Sequence, residues 1–432
     1  MSKRINFEYF FARRIAFQPQ RKASGLVIRL SIISIALAVA TIEIALSFVQ
    51  GFEVEIQKKV IGFGSHVQIG NYYRELDTEL VPLPKNEPSL DMVRDLSYVR
   101  SVSAYVEKWS VFKSDGGWDG VWLKGVDSTY DWTFFGSVLK EGRLPDFRHV
   151  EGRESLEVLI SRKQARRLDV KVGDRPLLLF LPEPVKRRRI TVVGIYETGM
   201  EEFDNNIVVC DGLLIQRVLR WETDQVTGFE VNLDLERIEA CGWYIDNQWP
   251  FAHRDCEEPM RWAASRIDEY IPFNFGAISI TDLYPEIFDW LTLQHQNVWV
   301  ILFLMIIVAI INMTSVVLIL IIERTRTIGI LKALGLPSPR IRSMFVWYAF
   351  FLILIGVVAG NILGLGLLAT QDAFGWLRVN QEDYFIEVVP VAWVWGKFFL
   401  VNVIVVGICT AFMVIPSMVI NRVQPVKAIR FE

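Results

Sequence analysis

VWVILFLMIIVAIINMTSVVLILIIERTRTIGILKALG, Val298 to Gly335, is two kinds of sequence joined end to end. Its first part, Val298 to Ile322, holds no ionisable residue. As a helix it is about 37 Å long, enough to cross a bilayer core with some tilt. The second part opens on Glu323 and Arg324, alternates charge with apolar residues and stops at Gly335, with Pro337 just beyond. Gly past a helix end with Pro soon after is a stop signal. A membrane helix therefore hands over to a short amphipathic helix at one membrane face. Arg324, Arg326, Lys332, Arg340 and Arg342 cluster there, and positive charge in a short connection marks the cytoplasmic side.

Working outward, the 432 residues are 52% hydrophobic yet 22% charged. That balance implies a few membrane spans and a large soluble domain rather than a chain wholly inside lipid. The net charge of −3 gives no bulk case for nucleic-acid binding. Fourteen Trp and 28 Phe supply material for interfacial belts. The four cysteines show neither a C-x-x-C pair nor zinc spacing. The first apolar run is too long for a cleavable signal peptide, and no small-residue cleavage site follows it. There is no Walker A pattern, nucleophile elbow or H-E-x-x-H, so ATP hydrolysis, if it powers this chain, belongs to another subunit.

Hydropathy and charge bias give four spans with both ends inside. Residues 1–25 form a basic cytoplasmic segment whose FEYFFARRIAF, 7–17, reads as an interfacial amphipathic helix. The first span is 26–50, the external α/β domain 51–296 and the second span 297–322. The cytoplasmic helix and loop are 323–343, the third span 344–369, an external loop 370–397, the fourth span 398–420 and a cytoplasmic tail 421–432. Pro416 is expected to kink the inner end of the fourth span. Gly356, Gly360 and Gly364 make one smooth face of the third span, suited to close packing within the protomer.

In the external domain, period-two patterns predict strands at 101–107, 118–124, 157–160, 177–181, 190–196 and 229–233. Helices are expected at 89–96, 161–168, 213–219 and 259–271. His66 reads as a strand-entry histidine. Cys210, Cys241 and Cys256 fall in this domain; a 241–256 disulfide, whose loop closure contributes about 3 kcal/mol, and unpaired buried thiols are equally open. Glu43 is the one acid inside the first span, placed either in a substrate cavity between protomers or near the outer interface as a solvated structural group.

ERTRTIGILKALG resembles the coupling segment of the lipoprotein-releasing (LolC/LolE-type) ABC permeases, within the wider MacB/FtsX-like permease family. Glu323, Arg324, Arg326, Ile328, Gly329, Ile330, Leu331, Lys332, Ala333, Leu334 and Gly335 carry the match. So do Tyr196, Glu197, Thr198, Gly199, Asp204, Gln216, Val226, Thr227 and Gly228 in GIYETGMEEFDNN…VTG, and Pro425, Ala428 to Glu432 at the tail. The external run carries no catalytic geometry and is read as fold-defining turns.

The resemblance implies an α-helical membrane domain of four transmembrane helices plus a large extracytoplasmic α/β domain of MacB type. It implies a non-enzymatic, multi-pass permease of the bacterial inner membrane, with its large domain in the periplasm. The chain itself would need no cofactor, ATP and Mg residing in a partner ABC ATPase dimer. It would work beside a second permease protomer, identical or not, and release acylated lipoproteins toward the outer membrane. Glu323, Arg324, Arg326, Ile328, Gly329, Leu331, Lys332, Ala333 and Gly335 are then the expected ATPase-coupling residues, and Glu43, Phe48 and Asn312 the expected cavity residues. Lys186, Arg187, Arg188 and Arg189 are a basic contact for a periplasmic partner. The 181–189 connection is much shorter than the family's long carrier-binding hairpin, which puts docking of a periplasmic carrier in doubt. Alternatives of the same architecture are a MacB-type mechanotransmission permease for efflux or peptide export, and an FtsX-like regulator of cell-wall hydrolases.

Overall fold

The computed structural model describes residues 22–72, 81–147, 152–181, 186–238, 259–380 and 386–422. The expected amphipathic segment at 7–17, the tip of the 181–189 hairpin, Cys241, Cys256 and the tail from 423 lie outside them. In chain order the helices are α1 (Lys22–Gly64), α2 (Pro88–Arg94), α3 (Thr133–Val138), α4 (Arg162–Arg167), α5 (Glu201–Asp204), α6 (Gly212–Leu219), α7 (Pro259–Asp268), α8 (Ile280–Leu283), α9 (Pro285–Glu323), α10 (Thr325–Ala333), α11 (Ser338–Phe374), α12 (Trp395–Phe412) and α13 (Val414–Ser417). The strands are β1 (Val67–Asn71), β2 (Leu83–Pro84), β3 (Val99–Ser114), β4 (Gly117–Val126), β5 (Leu139–Gly142), β6 (Glu157–Ser161), β7 (Leu177–Phe180), β8 (Lys186–Arg189), β9 (Thr191–Tyr196), β10 (Ile207–Asp211), β11 (Gln225–Val226), β12 (Gly228–Leu233) and β13 (Phe275–Ser279). The chain divides into two units, a helical one (1–53, 290–377 and 388–432) and a mixed one (54–289 and 378–387).

Four helices of the described residues are long and apolar enough to cross a membrane: Ile28–Gly64, Pro285–Glu323, Ser338–Phe374 and Trp395–Asn421. All four exceed their expected bounds, two of them by more than ten residues at one end and for one reason. Residues 51–64 and 285–296 are amphipathic continuations of apolar helices. They keep a buried stripe (Ile56, Val60 and Phe63 in one, Ile287 and Leu291 in the other) after the uninterrupted apolar run has ended. The expected external loop also shortens, because α11 reaches Phe374. The fourth span breaks where Pro416 withholds an N–H from the carbonyl of Phe412: α12 ends at that residue and a separate short helix follows.

The core of the helical unit joins Ile35, Val39 and Ile42 of α1 to Met313, Val316 and Val317 of α9, Phe345, Tyr348 and Leu352 of α11, and Val401, Val405 and Cys409 of α12. The glycine face of α11 meets α1 directly. A Cβ on Gly356 would lie 2.8 Å from Ile35 Cβ, one on Gly360 2.7 Å from the carbonyl oxygen of Ala36, and one on Gly364 2.6 Å from Glu43 Oε2 and 3.0 Å from Ala40 Cα. Backbone atoms cannot step aside, so the two helices are held at this distance by the absence of side chains.

Among the described residues the mixed unit is built on an eleven-stranded sheet of order β13-β1-β12-β3-β4-β10-β6-β9-β5, with β7 against β3 and β8 against β7. Pairing is parallel between β4 and β10 and between β6 and β9, and antiparallel elsewhere along that path. Val121 and Leu123, Val158 and Ile160, and Phe229 and Val231 point inward at alternate positions, into a core they share with Leu214 and Ile215 of α6 and Ala263 and Ile267 of α7. Four of the six expected strands fall within observed ones, and the other two, 177–181 and 190–196, overrun β7 and β9 by one residue each. Those passed over include β10, which is buried on both faces and so shows no alternation, and the five-residue β13, which contains Gly276. Cys210 is a buried free thiol in β10.

The ETG…D run is the expected turn. The Asp204 carboxylate accepts the Thr198 and Gly199 N–H groups at 3.1 and 2.9 Å and the Thr198 hydroxyl at 2.9 Å. It does so from the end of the short helix α5 rather than from a loop. His66, at the exit of α1, accepts the Leu233 N–H on Nδ1 at 3.1 Å. Burial pulls its imidazole down to about 4, with Arg100 adding to the fall and the Asn232 contact opposing it.

Two outcomes follow from these contacts. Gly360→Val is expected to lower the stability of the detergent-purified chain by about 1–3 kcal/mol through overpacking. Gly366→Val, on the same helix with nothing within 4 Å of its Cβ position, changes the melting temperature little. His66 stays neutral when folded, so acid favours the unfolded chain. Stability falls as pH drops from about 6.5 toward about 4, by at most about 3 kcal/mol, and His66 makes no pH-dependent contribution above that window. Denaturation midpoints at pH 7 and 5 check this, and His66→Gln removes that part of the slope.

Candidate functional site

The membrane helix α9 does not run smoothly into α10. Arg324 leaves the helical region at φ −94° and ψ 11°. The Thr325 hydroxyl turns back onto the carbonyls of Ile321 and Ile322 at 2.9 and 2.7 Å, meeting acceptors the broken helix exposes. The far end is closed by a Schellman motif. The Gly335 N–H bonds to Lys332 O and the Leu336 N–H to Leu331 O, both at 3.0 Å, and Gly335 takes φ +87°. Leu331 and Leu336, which that motif brings together, both pack on the membrane core.

Between these two stops α10 has two faces. Ile328 and Gly329 are buried, and Lys332 Nζ donates to the carbonyl oxygen of Ile420 at 2.8 Å. The opposite face carries Arg326, Ile330, Ala333 and Leu334, spaced four, three and one apart, all exposed. Ile330 is 45% exposed and Leu334 79%. Glu323 is exposed just before the break, and Gly335 just after the helix. The nominated residues therefore divide. Glu323, Arg326, Ala333 and Gly335 are available to a partner, whereas Ile328, Gly329, Leu331 and Lys332 seat the helix. Arg324 is half-buried, and its Nε has no hydrogen-bond partner among the described residues. Ile330 and Leu334, part of the motif but not nominated, are its most prominent apolar groups.

The three cavity candidates do not share a face. Glu43 is fully buried on the side of α1 that meets α11 and α12, and its Oε1 accepts from Asn402 Nδ2 at 3.3 Å. Asn402 and Asn361 exchange amide hydrogen bonds at 2.9 and 3.0 Å, so one carboxyl and two amides form a polar knot inside an apolar bundle. Within the single chain Glu43 is shielded from solvent and turned toward Asn402. Phe48 instead continues, at helical spacing, the exposed row Leu26, Leu30, Ile33 and Leu37 of α1, and is half-buried. Asn312 is half-buried on α9. The lone polar residues Asn361 and Asn402 in apolar spans were the available signal for the knot.

The basic run Lys186 to Arg189 is a strand, β8, at the end of its branch of the sheet and paired only with β7 among the described residues. Alternation splits it. Lys186 Nζ donates to the carbonyl oxygen of Val218 at 2.5 Å and Arg188 lies 3.9 Å from Glu154, while Arg187 and Arg189 are exposed. No group of three or more metal-ligating side chains occurs among the described residues.

Comparison with known proteins agrees with this architecture. The profile of the MacB-like periplasmic core domain matches residues 30–239, and that of the FtsX-like permease C-terminal region matches 299–425. The chain is 25% identical over 420 residues to the lipoprotein-releasing system transmembrane protein LolC of Neisseria meningitidis serogroup B, covering 93% of both chains. It is 23% identical over 452 residues to the lipoprotein-releasing system transmembrane protein LolE of Haemophilus influenzae, covering 98% of this chain and 99% of that one. The crystal structure of the periplasmic region of MacB from Actinobacillus actinomycetemcomitans overlaps 53% of this chain and 95% of that one, at 11% identity and a TM-score of 0.34. With the two profiles matched in the right order and the relatives aligned nearly end to end, this chain is similar over nearly its whole length to the LolC/LolE-type permeases and to the MacB-like and FtsX-like domains.

Proposed function

We propose that this chain is the permease subunit of an inner-membrane ABC transporter that releases lipoproteins toward the outer membrane, driven by ATP hydrolysis in a separate ATPase. The observation that carries the reading is α10. It is a helix fixed at both ends, pinned underneath by Ile328 and Lys332, and presenting Arg326, Ile330 and Leu334 outward. An apolar pair flanked by an arginine and by Glu323 suits insertion into a groove of a partner, where buried aliphatic anchors carry most of the binding energy and charges set orientation. Because α10 continues α9 across a single residue, force on it reaches the membrane span without passing through a flexible loop.

The work to be done is large. Each acyl CH₂ drawn from the bilayer resists by about 0.8 kcal/mol, so the stroke has to come from nucleotide. The exposed α1 row that ends at Phe48 is the wall offered to a second protomer and to acyl chains, and Asn312 is a half-buried polar group of α9. Glu43 belongs to the seam inside the protomer. Arg187 and Arg189 are the charges available to an acidic periplasmic partner, and their short hairpin favours a surface contact over a hooked one.

The test is reconstitution with the partner ATPase in liposomes carrying an acylated lipoprotein, scored by nucleotide-dependent release to the aqueous phase. Ile330→Asp is expected to weaken association with the ATPase at least about tenfold, equivalent to about 1.4 kcal/mol, and to abolish release while the permease melts normally. Unaltered association would remove α10 from the ATPase interface. Gly335→Ala is expected to cost about 1 kcal/mol at its left-handed φ, with reduced release, since Leu334 is then no longer held in place.

A further inference from the structure

We infer that Lys124, backed by Glu230, is a positioning residue that grips the outer end of α1, so that movement of this helix passes to the sheet without slack. The inference rests on the permease reading above, in which that movement is the stroke. The last turns of α1 are embedded in the mixed unit: Ile56 and Val60 are fully buried and Phe63 is 4% exposed. A helix C-terminus carries unpaired carbonyls and partial negative charge. Here Lys124 Nζ, from β4, donates to the carbonyl oxygen of Phe63 at 2.5 Å, and Gln68 Nε2 to that of Gly64 at 3.2 Å. The ammonium lies 5.0 Å from the centre of the Phe63 ring and 5.4 Å from that of Tyr130. Reaching across β3, it also meets Glu230 Oε1 of β12 at 2.6 Å.

Both residues are almost wholly buried. Burial alone would lower the Lys124 ammonium, but the Glu230 carboxylate overrides that and holds it above the ordinary lysine range. A buried ion pair is rarely the more stable choice, since an apolar pair of similar volume often does as well or better. What an apolar pair cannot do is hold a carbonyl. A cation on a stem that crosses the sheet ties three strands to one helix end.

The surrounding contacts bring in the other chain crossing. Lys59, a turn earlier on α1, donates to the carbonyl oxygen of Thr198 at 2.6 Å, in the turn that Asp204 fixes. The Phe63 ring stacks on Phe203 at 4.3 Å and 9° and meets Phe135 edge-on at 5.7 Å. Phe203 in turn meets Tyr284 edge-on at 5.4 Å, and Tyr284 is the residue before α9 begins at Pro285. The His66 carbonyl accepts the Ile280 N–H at 3.0 Å. The end of α1 and the start of α9 are thus seated in one aromatic cluster with the Lys124 ammonium beside it. The ETG…D turn, with no chemistry of its own, builds the wall of that socket.

The test uses the full permease with its partner ATPase in liposomes, comparing wild type with Lys124→Met. Three readouts are taken: ATP hydrolysis, lipoprotein released per ATP, and the distance distribution between spin labels at exposed positions 58 on α1 and 122 on β4, with and without nucleotide. The wild-type distribution should be narrow and the same in both states. Lys124→Met should keep hydrolysis, broaden the distribution and cut release per ATP about tenfold. A merely structural role would lower stability without moving that ratio. Should Lys124→Met fail to assemble, Glu230→Gln, which keeps the lysine and its carbonyl bond, is read in its place, with a smaller fall in release per ATP expected. Unchanged release per ATP in a variant with a broadened distribution overturns the inference, and so does a distribution as narrow as wild type. If the wild type itself releases no lipoprotein, the permease reading fails separately, and the label distances alone decide the grip.

Discussion

A bilayer offers a peptide group no water, so each backbone donor and acceptor inside it must be paired within its own helix. That constraint fixes most of what this molecule can do. Its first three spans are unbroken rods and the fourth breaks only near its end, and a span can only be pulled, pushed or tilted by what holds its ends. At one end of α9 sits α10, closed by Thr325 on one side and the Gly335 turn on the other. At one end of α1 sits a lysine bonded to a terminal carbonyl. The helix ends are where the chain departs from regular structure, and they are where the polar contacts of consequence are found.

Inside the membrane unit the same constraint makes polar groups rare, and those present are spent on registering helices. Glu43 reaches α12 through Asn402, and Asn402 reaches α11 through Asn361. The glycine face of α11 sits directly against the same part of α1. Close backbone approach and a shared polar knot specify one arrangement of three helices where apolar packing alone would permit several. The arrangement is compatible with spans that move as a group while the exposed row of α1 meets lipid, a neighbour or cargo.

Much of this was legible in the residues. The stop at Gly335 followed from Gly and Pro after charge, and the strands of the mixed unit followed from alternation, as at Val121 and Leu123. β10 was not legible, because a strand buried on both faces reads as a bare apolar run. The face of Glu43 was not legible either: a single acid in an apolar helix carries no periodicity to orient it, and its partner Asn402 lies in another span. Lys124 illustrates the limit best. In VWLKGV it alternates with apolar residues and reads as a solvated strand position, and only the fold brings it to Glu230 and to the end of α1. The coupling motif pointed to α10, yet helical spacing was needed to see that Ile330 and Leu334 face outward while Ile328 faces in.

The central claim is that this protein moves lipoproteins off the membrane in which it resides. The most direct measurement is to deplete it in cells and fractionate mature lipoproteins between the two membranes. Their retention at the inner membrane is the predicted result. Normal sorting, accompanied by altered sensitivity to toxic compounds, would contradict the account and turn the same helices and the same grip on α1 to the service of an efflux partner.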